Sequence, residues 1–126
     1  MCRIDDCEHI EGYTTRVIKK ARKSHKCHEC YRQIEAGESY RRNTGILEGS
    51  PFEAVTCSHC QVAADWLVKN CGGFVHSQVG EEIHEHTIEY PAIAEPLKII
   101  LQGIRSRWVS MPVPAMPPEI PVTDHA

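Results

Sequence analysis

The sequence predicts an α+β chain whose fold is set by metal ligation, and three observations carry that prediction. Four of the seven cysteines fall into two Cys-x-x-Cys pairs, Cys27-His-Glu-Cys30 and Cys57-Ser-His-Cys60, with residues 31–56 between them. The intervening stretch reads as a β-hairpin. The second pair opens directly onto a segment of helical periodicity. Each pair sets two thiolates on one tight turn, a short bite that suits tetrahedral zinc, and two pairs complete its coordination. The expected cofactor is therefore one structural zinc ion held by Cys27, Cys30, Cys57 and Cys60, with no open position for a catalytic water. A cysteine turn, a hairpin and a second pair at a helix start form the layout of a treble-clef zinc finger. Here two or three helices and a proline-rich tail follow it.

The elements follow in order. Residues 1–12 are an acidic lead-in with Cys2 and Cys7. The β-formers and cations from Tyr13 to Lys20 predict a strand entering the first cysteine turn. Glu38–Asn43 and Phe52–Thr56 predict the two hairpin strands, with Gly45, Gly49, Ser50 and Pro51 marking the connection. Thr56 is a candidate N-cap. Val62, Trp66 and Leu67 lie at helical spacing, and Gly72 and Gly73 end that helix. A second helix is expected over about 78–89, with Val79, Ile83 and Ile88 inward, ended by Pro91. Pro96 suits the first turn of a third helix. There Leu97, Ile100, Leu101, Ile104 and Trp108 fall on one apolar stripe. The predicted core joins Trp66, Leu67, Leu97, Leu101, Ile104 and Trp108 to Tyr40 and Phe52. Residues 110–126 hold five of the eight prolines, which excludes a helix or inner strand and predicts an extended tail. The organisation is thus 1–12 lead-in, 13–109 zinc domain with its helices, and 110–126 tail.

Composition narrows the class. Hydrophobic residues make up 41% of 126, but only two Phe and two Trp are present. The apolar core is modest, and metal ligation supplements it. No apolar run approaches the length of about 20 residues that spans a bilayer, and the N-terminus lacks a signal-peptide layout. An odd cysteine count fits reduced, metal-bound thiolates better than a closed disulfide framework, which predicts a cytoplasmic location. Residues 12–45 carry nine Lys/Arg against three Glu, whereas residues 46–126 carry four against ten Asp/Glu. The chain is polarised in charge rather than uniformly basic.

Other chemistries find less support in the residues. A nuclease of the HNH type needs a hairpin histidine, and none lies between Cys30 and Cys57. A redox dithiol at Cys57/Cys60 lacks the βαβ setting of that chemistry. His84 and His86 point about 200° apart on a helix, so they read as a solvated face rather than a shared metal site. Cys2, Cys7, Cys71 and His76 are a candidate second metal set at permissible spacings. Arg16, Lys19, Lys20, Arg22 and Lys23, with Arg41 and Arg42, are candidate phosphate or partner contacts. Alternatively, these cations compensate the net −2 of four thiolates on one zinc.

The segments 21–30, 34–42, Thr56-Cys-Ser-His-Cys60 and Cys71-Gly-Gly-Phe74, with Arg105-Ser-Arg-Trp108, resemble small zinc-binding proteins encoded by bacteriophages and prophages. The resemblance covers about residues 13–109. It implies a small accessory protein acting in the cytoplasm of a bacterial host. The function expected on this reading is not enzymatic: a zinc-stabilised module that binds and modulates a host or phage macromolecule through protein contacts. The alternative is a nucleic-acid-binding finger using the basic segment 16–42.

Overall fold

Strand pairing begins earlier than the run of β-formers suggests. The computed structural model describes residues 10–121, and its first strand, β1, spans Ile10–Ile18. The two hairpin strands are β4, Tyr40–Leu47, and β5, Ser50–Cys57. They extend the predicted hairpin at both ends, and the turn at Glu48 and Gly49 takes positive φ. β1 pairs antiparallel with β4, giving a three-stranded sheet in the order β1-β4-β5. Its register sets Arg16 opposite Arg42 and Val17 opposite Arg41, with an irregularity between Glu11 and Thr14. The strand therefore does not run into the first cysteine turn. Two short strands flank that turn instead: β2, His25–Lys26, and β3, Gln33–Ile34.

Three helices follow. The first, α1, spans Ser58–Cys71 with Cys57 rather than Thr56 at its N-cap. It ends at Gly72, whose left-handed conformation (φ 84°) lets its N–H close on the Val68 carbonyl, an arrangement glycine adopts without a Cβ penalty. The second, α2, spans Val79–Glu89. A 3₁₀ turn over Pro91–Ile93 leads into α3, Ala94–Arg105. Val79 and Ile83 are fully buried, but Ile88 is 69% exposed and does not face inward. The α3 stripe is buried as predicted, from Leu97 to Ile104. It packs in one core with Trp66, Leu67, Tyr40 and the four cysteines of the two pairs. Phe52 lies outside that core. Its ring centroid sits 5.1 Å from that of His76.

The stripe's last member reaches the core by another route. The helix stops at Arg105, and Arg107 and Trp108 both adopt φ of 58°. That left-handed turn folds Trp108 back, with its N–H donating to the Gly103 carbonyl at 2.7 Å. Beyond it the tail lies along α1. Met111, Pro114, Pro117 and Ile120 are its less exposed residues, and Pro117 is buried. Inward positions thus recur every third residue, the period of the extended proline helix. No helix among the described residues is long and apolar enough to cross a membrane.

Candidate metal centre

Cys27 and Cys30 sit on the turn between β2 and β3, Cys57 ends β5, and Cys60 lies in the first turn of α1. Their four sulfurs lie within 4.8 Å of one another, and all four residues are buried. The Cys30 and Cys57 sulfurs are 3.9 Å apart. A tetrahedron with metal–sulfur bonds of about 2.3 Å has edges of about 3.8 Å. Among the described residues this is the one group of three or more ligand side chains close enough to share a metal ion.

The first turn is clamped onto the sheet. The His28 N–H donates to the Val55 carbonyl at 2.8 Å, and the Val55 N–H donates to His28 Nδ1 at 2.7 Å. Side chain and backbone together imitate one more strand pair. Tyr31, directly after Cys30, takes φ of 65°, and its N–H reaches the Cys27 carbonyl at 2.9 Å.

Charge in the centre is met by N–H groups. The Glu29 and Cys57 amides point at Cys27 Sγ, the Arg32 amide at Cys30 Sγ and the Cys60 amide at Cys57 Sγ, all at 3.4–3.5 Å. Cys60 Sγ receives the indole N–H of Trp108 at 3.4 Å. None of the hydrogen bonds to sulfur among the described residues comes from a lysine or arginine side chain. The hydrogen bonds that reach the sulfurs are supplied by the backbone and by Trp108. Without a cation the sulfurs cannot all ionise. Contact with Cys30 drives the Cys27 thiol far down, and contact with Cys27 drives Cys30 and Cys60 far up. A divalent ion at their centre removes that conflict, because each sulfur then ionises against the metal.

Two partners of the centre carry no cysteine signal. Glu29, between the first pair, is buried. Its Oε2 accepts the Ser77 N–H at 2.7 Å and its Oε1 accepts the Val79 N–H at 3.1 Å. Gln78, the N-cap of α2, makes no side-chain capping bond, so a carboxylate from the metal turn caps that helix. Burial chiefly pushes the Glu29 carboxyl above its ordinary range, against those two bonds. Glu29→Gln is expected to destabilise the protein by about 1–3 kcal/mol, since an amide nitrogen would face a buried N–H. Chemical denaturation of both proteins at equal zinc content checks this.

The second is His59. Its Nε2 lies 3.0 Å from the Met111 carbonyl and its Nδ1 lies 3.5 Å from Arg32 Nη2. A carbonyl only accepts and a guanidinium only donates, which assigns the proton to Nε2. Its ring stands 5.2 Å from that of Trp108, so the centre, α1 and the tail meet at this residue.

Cys2 and Cys7 lie outside the described residues. Cys71 Sγ is 3.3 Å from His86 Nε2. His76 meets the Tyr13 hydroxyl and the rings of Phe52 and Phe74, and burial lowers its pKa. His84 and His86 do lie apart, but not on a solvated face. His86 is buried between Trp66 and Tyr90, bonded through Nδ1 to the Glu82 carbonyl at 2.6 Å. Arg41 pairs with Asp65 and Arg42 with Glu53. Arg16, Lys19, Lys20, Arg22 and Lys23 are exposed.

No protein-family model, no curated protein and no solved structure matches this chain. The four-cysteine centre and the surfaces around it therefore carry the functional argument.

Proposed function

We propose that this chain is a treble-clef zinc protein, a small phage or prophage accessory factor that binds and modulates a host or phage macromolecule through protein contacts. The treble-clef reading is supported by the chain order: a cysteine turn between β2 and β3, the β4–β5 hairpin, then a cysteine pair at the N-terminus of α1. Zinc is the ion that four thiolates in a closed, buried tetrahedron suit best. With every ligand position taken by protein, the metal holds structure, and function falls to the surface.

The observation that carries the binding reading is the outer side of the sheet. From Tyr13 to Val17 every residue of β1 is exposed. Tyr13 is 44% and Val17 is 60% exposed, amid Arg16, Lys19, Lys20, Arg22 and Lys23. Apolar side chains interleaved with cations suit an acidic protein surface, where the apolar groups supply burial and the charges supply selectivity and encounter rate. The polyanion reading rests on the same five exposed cations. It is disfavoured by a net charge of −3 and by the lack of an aromatic residue between Arg16 and Lys26.

The test compares wild type, Val17→Asp, and the fourfold change of Lys19, Lys20, Arg22 and Lys23 to Ala. Capture of a bacterial protein by wild type, lost in Val17→Asp with zinc content unchanged, is expected. Salt-sensitive nucleic-acid binding by wild type, lost in the fourfold variant while zinc stays bound, would reverse the ranking. On duplex DNA the slope would flatten by about 0.9 log units per lost contact.

A further inference from the structure

The face of α1 under the tail is built like a receptor. His59, Trp66 and Asn70 are seven and eleven residues along, so they fall within about 20° of one line on the helix. Each holds the tail by its backbone. His59 Nε2 donates to the Met111 carbonyl at 3.0 Å, Trp66 Nε1 donates to the Pro118 carbonyl at 2.8 Å, and Asn70 Oδ1 accepts the Ile120 N–H at 2.9 Å. Between these bonds Met111, Pro114, Pro117 and Ile120 turn toward the protein, one residue in three. Lys69 meets Glu119 at 3.1 Å at the edge. Hydrogen bonds to backbone atoms, an indole N–H on a prolyl carbonyl, and apolar seats at a three-residue period are how proteins recognise extended proline-rich ligands.

We infer that this face of α1 is a recognition groove for an extended proline-rich segment of a partner protein, occupied here in cis by residues 111–120. This deepens the protein-contact reading and rests on it. The ligand carries apolar residues, preferably proline, at every third position, with an acidic residue to meet Lys69. The chain's own tail is a competitor, present at the high effective concentration of any tethered ligand. Its connection favours exchange. Arg107, Trp108 and Ser110 all take φ near 60° without being glycine, and short strained connections of this kind favour release of the segment they hold. Trp108 is fixed by Cys60 and Gly103, so the release point is the strained Ser110 just beyond it.

The test uses the full chain and a fluorescent peptide of residues 110–121. Pro117→Ser combined with Ile120→Ser weakens the cis tail and leaves the groove untouched. This variant is expected to bind the peptide at least tenfold more tightly than wild type. Adding Trp66→Phe, which removes the indole N–H and keeps an aromatic ring, should lower that affinity at least fivefold. A peptide with one serine inserted after Ala115, which brings Met116 and Glu119 to the seats of Pro117 and Ile120, should bind no better than a scrambled one. Equal binding by wild type and the tail variant, or indifference to Trp66→Phe, would overturn the inference. So would a tail-exchanged dimer of wild type that excludes the peptide, since the occupant would then be a second copy. Should the tail variant lose its zinc or fold, a protease site placed between Ser110 and Met111 of the wild-type chain serves instead. Exchange of the cut tail for labelled peptide supports the groove, and failure to exchange overturns it. Failure with zinc and fold intact leaves the β1 surface as the partner site, and so is distinct from failure of the protein-contact reading.

Discussion

Cys57→Ser is expected to release the metal and abolish the cooperative unfolding transition. Cys57 does three things at once. It is one of the four proposed zinc ligands, it closes β5 opposite Tyr40, and its sulfur caps α1 by accepting the Cys60 N–H. A serine hydroxyl keeps the cap but is a poor zinc ligand, and three remaining sulfurs leave the ion open to water and chelators. Binding of structural zinc contributes about 10–16 kcal/mol in small domains, comparable to or larger than a whole domain's net stability. Without the ion, four buried sulfur positions would sit at the centre of the core with no charge to organise them. Metal analysis should give about one zinc per wild-type chain and close to none for the variant. Near-ultraviolet circular dichroism should collapse in parallel. A folded, reduced wild-type protein without metal would refute the centre.

Gly103→Ala is the second large effect. A Cβ on Gly103 would lie 2.2–2.5 Å from three carbons of the Trp108 ring, and the ring is buried on all sides. Neither party can yield: the glycine sits in α3, and Trp108 is pinned by its amide to the Gly103 carbonyl and by its indole to Cys60 Sγ. The added methyl therefore expels the indole. The cost should approach that of removing a core tryptophan, about 3–5 kcal/mol. Because Cys60 would also lose its N–H donor, zinc should exchange faster to a chelator in this variant. Trp108→Phe separates the two contributions, keeping most of the packing while deleting only the N–H. An unchanged melting temperature in Gly103→Ala would show that the helix and tryptophan can move apart.

The parts of this fold legible in the sequence are those where one residue type answers one local demand. Paired cysteines at a two-residue gap, glycine after α1 and the α3 stripe are of this kind, and each stands where expected. What escaped depends on contacts between distant segments. Nothing near Glu29 in sequence announces the helix start 50 residues later that it caps. His86 reads as part of a solvated face because it points away from His84 and no metal pairing claims it, yet it fills the space between Trp66 and Tyr90. Trp108 continues the helical period by coincidence of number, and reaches the core through a left-handed turn that its residues do not advertise. The cations of the first half balance the thiolates on paper, but the N–H groups that reach the sulfurs are placed by the turns and by Trp108, which no charge count reveals. In the tail, prolines excluded helix and inner strand without revealing the three-residue rhythm that matters once a partner surface is supplied.

That rhythm gives residues 111–120 something like a reading frame. A single-residue insertion between Pro114 and Pro117 shifts every later position by a third of a turn. It would lift Pro117 and Ile120 from their seats and bring Met116 and Glu119 there, while leaving composition almost unchanged. Loss or gain of three residues together would restore the phase. The tail should therefore tolerate an insertion of three residues and punish an insertion of one, much as a coding sequence does.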